Sequence, residues 1–106
     1  MSKVPKTYGQ FAQTFPALAD AWEKSRVAEA QGPLDDRARR LAKLAIAIGA
    51  LREGAVRSAT RKALDAGVTR EEVLQVIALS ATTIGFPSAV AVFSWVEELT
   101  AKKKRR

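Results

Sequence analysis

Apolar residues recur along this chain at helical spacing, and Gly and Pro fall between the periodic segments rather than inside them. Residues 7–14 make a short first element that ends before Phe15-Pro16. Pro16 suits the first position of a helix, where a missing N–H costs nothing, and predicts a helix over 16–30. Leu18, Trp22 and Val27 form its apolar side, and Gln31-Gly32-Pro33 stops it. Asp35 then stands where a capping side chain is needed, and Asp36 puts negative charge at the positive end of the next helix dipole. Leu41, Leu44, Ala45 and Ile48 follow the i, i+3, i+4, i+7 pattern of a buried stripe. Ala42, Ile46 and Gly49 add a second, smaller apolar face, as expected of a helix packed between neighbours.

The segment 50–67 reads as a helix closed by Gly67, a residue suited to a left-handed C-terminal cap. Thr69 and Glu72 have capping-box spacing and predict a new helix, nearly all apolar after its first turn and so expected at the centre of the bundle. Gly85-Phe86-Pro87 breaks the chain again, and Pro87 opens a last helix with Ala89, Val92, Phe93, Val96 and Leu99 on its buried face. The expectation is one all-α domain of five to six helices over residues 1–101. A basic, disordered tail is expected over 102–106.

Composition narrows the chemistry more than the fold. Among 106 residues there is no cysteine and no histidine. Disulfides, thiolate metal sites and redox dithiols are therefore excluded for this chain, and the side chain that titrates near neutrality is missing. Acid–base work would fall to a shifted Asp, Glu, Lys or Tyr, and Tyr8 is the single tyrosine. No metal or cofactor is expected. The formal charge is +7, of which the terminal Lys-Lys-Lys-Arg-Arg supplies five. Residues 1–15 lack the apolar core of a signal peptide, and no apolar run approaches the roughly 20 residues that span a bilayer. A cytoplasmic location, away from membranes, is expected.

The order of these signals is distinctive. An Asp-capped start leads to "LAKLAIAIGA", then "RKALDAGVTREEV", then "GFPSAVAVF". Over roughly residues 11–99 this resembles the carboxymuconolactone decarboxylase and alkyl hydroperoxidase D-like superfamily. The resemblance implies a homo-oligomer: dimers, trimers or hexamers. Redox members of that superfamily carry two cysteines separated by two residues on the helix ending in this Ala-Leu-x-Ala-Gly pattern. A histidine follows four residues after the second, and a glutamate precedes the first by about a dozen. Lining up on "RKALDAG" puts the histidine position at Ala59, or at Ser58 if the register slips by one. The cysteine positions fall at Ala55 and Arg52, and the glutamate position near Arg40. Decarboxylase-like members lack the cysteines but generally keep the histidine. A thiol peroxidase needs a thiolate, so that activity is excluded here, and lactone decarboxylation lacks the residue most expected to move a proton.

Residues 37–62 hold eight basic side chains against one acid, Glu53. Guanidinium forks bind carboxylate or phosphate in bidentate fashion, so Arg40 and Arg52 are candidates for a small anion site between two helices. Arg57, Ser58 and Thr60 are further candidate ligands. The competing reading is structural. Glu53, Arg57 and Arg61 have the spacing of a surface charge ladder, Arg37, Arg39 and Lys43 suit a solvated face, and Arg40 and Arg52 could pair with acids of another helix or another subunit, such as Asp20, Glu23 or Glu98. Ala55, Ala59 and Ala63 either let a neighbouring helix approach closely or leave room for a ligand. Trp22 and Trp95 suit core or subunit contacts, and the hydroxyls of "SATT" at 80–83 suit bonds to the preceding turn.

Three functions stand against each other. The first is a homo-oligomeric binding or assembly module with little or no peroxidase activity. The second is a decarboxylase-type enzyme holding a small carboxylated lactone through arginines. The third, and least favoured, is a basic-tailed binder of nucleic acid or acidic protein.

Overall fold

A computed structural model describes the backbone of residues 6–104 and the side chains of residues 6–101. Among these residues there are six helices and no strand, as the all-α expectation requires: α1 (Lys6–Thr14), α2 (Pro16–Glu29), α3 (Asp36–Ala50), α4 (Glu53–Asp65), α5 (Arg70–Ile84) and α6 (Phe86–Lys104). They fall into two compact units, residues 1–33 and 34–106.

The first unit is the pair α1–α2. Phe15 precedes Pro16 at the start of α2, and its ring lies 5.0 Å from that of Phe11 at a 48° tilt. A cavity of about 470 Å³ opens beside these rings, lined by Tyr8, Phe11, Leu18 and Trp22 among others. No residue of either helix is buried, and Trp22 is 55% exposed.

In the second unit, α3 packs on α4 and α5, and α6 on the same two helices, so the four close around one core. Leu44 and Ile48 from α3, Val56 and Ala63 from α4, Val73 and Ile77 from α5, and Val92 and Val96 from α6 fill it. Trp95 packs against its edge. Each helix end has a local cause. The Asp35 carboxylate accepts the Ala38 N–H at 2.8 Å. Thr69 and Glu72 satisfy each other's backbone in a reciprocal capping box, with contacts of 3.1 and 2.9 Å. Gly67, at φ +95°, donates to the Leu64 carbonyl while Val68 donates to Ala63, and the buried Val68 side chain closes this Schellman end.

The packing corrects four expectations. On α3 the buried alanine is Ala47, and Ala45 is exposed: alanine contributes too little to the periodic signal to fix the edge of a stripe. On α6 the buried line runs Ala89, Val92, Val96 and Thr100, while Phe93 is 43% exposed on the outer side. α5 is not central: Val73 and Ile77 are buried, but Leu79 is 66% exposed, because α3 and α6 cover one side of it only. Finally, the segment 50–67 is not helical from its start. Leu51 adopts a left-handed conformation and Arg52 an extended one, so α4 begins at Glu53.

The helical backbone of α6 continues through Lys104. The side chains of 102–104 and residues 105–106 lie outside the described residues, and with them the expectation of a disordered tail. No helix among the described residues is long and apolar enough to cross a membrane.

Candidate functional site

The candidate anion site centres on the corner between α3 and α4. Leu51, at φ 54° and ψ 43°, turns the chain, and its N–H bonds the Ile48 carbonyl at 2.9 Å. Arg52 then occupies the position before α4, and no side chain caps that helix. Its guanidinium is exposed and makes no ion pair among the described residues. Arg40 lies on α3, partly buried, with its Nε 3.6 Å from the Asp36 carboxylate. Arg39 donates to the same carboxylate oxygen at 2.7 Å, so Asp36 is shared by two arginines one turn away. Arg40 thus has an acidic partner one turn away in its own helix.

Arg57 is engaged on both sides. It donates through Nε to Glu53 at 2.9 Å and through a terminal nitrogen to Glu98 on α6. These bonds, Glu98 foremost and Glu53 next, raise its pKa further and keep the guanidinium charged. The ladder read from spacing therefore exists at its first step, but the same arginine also ties α4 to α6. Thr60 is wholly buried in the apolar core, and its hydroxyl has no hydrogen-bond partner. A charged ligand there would have to shed its water among valines, at high cost. Ser58 and Ala59 are half-buried and Ala55 is exposed. Of the five candidate ligands, Arg52 alone presents an unengaged charged group to solvent.

Two further cross-helix pairs were invisible in the linear spacing. Arg37 on α3 donates to Glu72 on α5, and Arg70 on α5 donates to Glu97 on α6, with the Thr100 hydroxyl 3.5 Å from the Arg70 Nε. The bond from Arg37, then that from the Thr69 backbone, holds the Glu72 carboxyl below its usual range. The hydroxyls of Ser80 and Thr82 donate to Ile77 and Leu79 carbonyls at 2.6 and 3.4 Å, as expected of mid-helix hydroxyls. No group of acids able to hold a metal occurs among the described residues.

A second cavity, of about 370 Å³, lies between α5 and α6, with Ile77, Ala81, Phe86 and Phe93 in its lining. Sequence reasoning missed it by assigning Phe93 to the core. The signal available was the lack of any charged residue from Val73 through Val96.

The described residues thus form an all-α bundle without cysteine or histidine, with an Asp-capped α3, a glycine-closed α4 and a capping box on α5. The chain belongs to the carboxymuconolactone decarboxylase family, whose model matches residues 16–98. No curated protein and no solved structure matches it significantly.

Proposed function

We propose that this family member is a cytoplasmic, homo-oligomeric binding or assembly module with little or no peroxidase activity. The observation that carries the reading is the chemistry the chain lacks. The chain has no cysteine and no histidine at any position, and lining up by resemblance sets Arg52, Ala55 and Ala59, or Ser58 in a register shifted by one, where the redox branch bears those groups. Without a thiolate there is no nucleophile for a peroxide oxygen, and without an imidazole no neutral-pH proton shuttle. Exposed apolar side chains on α5 and α6 add support, because such surface is costly to leave in water. The test combines peroxide consumption with sedimentation of the purified chain. An enzyme-like rate without added metal, or a strictly monomeric species, refutes the reading.

A second reading keeps one specific observation in its favour. The free guanidinium of Arg52, beside the uncapped start of α4, suits a small carboxylate. In this version the binding function is anion capture, and a decarboxylase-type reaction would need an acid–base group other than histidine. Thermal shifts with small di- and tricarboxylates test it. A rise in melting temperature that vanishes in Arg52→Ala supports the site, and flat curves remove it.

A further inference from the structure

We draw no further inference here: the strongest candidate, the cavity of about 470 Å³ between α1 and α2 that Tyr8, Phe11 and Trp22 line, is apolar, and nothing in the structure shows what covers it.

Discussion

Arg57 on α4 reaches Glu98 on α6, 41 positions further along the chain, while holding Glu53 one turn before it at 2.9 Å. One guanidinium thus joins two helices and stiffens the first turn of its own. Such a shared donor couples its two acids, so their contributions should not add. In a double-mutant cycle, Arg57→Ala and Glu98→Ala should each lower the melting temperature, and the double variant should lose less than the sum. The coupling should shrink in 1 M salt, because the groups are partly exposed. Strict additivity at low salt would mean that the pair contributes nothing.

Glu72 gives a pH-dependent prediction. Its carboxyl titrates below the ordinary range in the folded state, first because Arg37 bonds it and then because of the Thr69 backbone. A carboxyl with a depressed folded pKa stabilises the fold above its unfolded value, about 4.3, and loses that contribution as pH falls through the folded one. Glu72→Gln keeps the capping geometry and removes the charge. The variant should melt lower than wild type at pH 7, and the gap should close below about pH 4. A gap that stays constant down to pH 2.5 would count against the Arg37 pair.

Thr60 should be an exception to the rule that core substitutions destabilise. Its hydroxyl is buried without a partner, so the methyl of a valine in its place loses no bond and removes a desolvation penalty. Thr60→Val is expected to stabilise the protein by about 1 kcal/mol, read as a higher midpoint in urea with an unchanged slope. A lower midpoint would show that the hydroxyl is used.

Gly67→Ala tests the end of α4. A Cβ at this position would meet nothing within 4 Å, so crowding plays no part. The backbone conformation does: at φ +95° an alanine is strained, and the variant should lose about 1 kcal/mol or more. No loss in chemical denaturation would mean that the Schellman end can relax into another turn.

These features differ in how far they could be read from the chain alone. Asp35, Thr69 with Glu72, and Gly67 act on backbone groups within a few residues, so their spacing carries the message. The family positions at Ala55 and Ala59 were reached through resemblance of neighbouring segments, which depends on order and not on contacts. The ion pairs of Arg37, Arg57 and Arg70 join residues 27 to 41 positions apart, and no periodicity encodes which acid an arginine will meet. Phe93 and the outer side of α5 were misplaced for a related reason. A periodic apolar pattern shows that a face avoids water, but not whether the cover comes from the same core or from outside it. Arg52 was placed on a helix because Leu51 gives no warning of a turn.

That leucine has a consequence for engineering. An L-residue in the left-handed region sits about 1–2 kcal/mol above its relaxed state, and here the side chain is 42% exposed, so packing repays little of it. The bend before α4 is therefore a spring held under tension by the rest of the bundle. A glycine or asparagine there would let it go slack, and the reserve so released is one the present chain carries without spending.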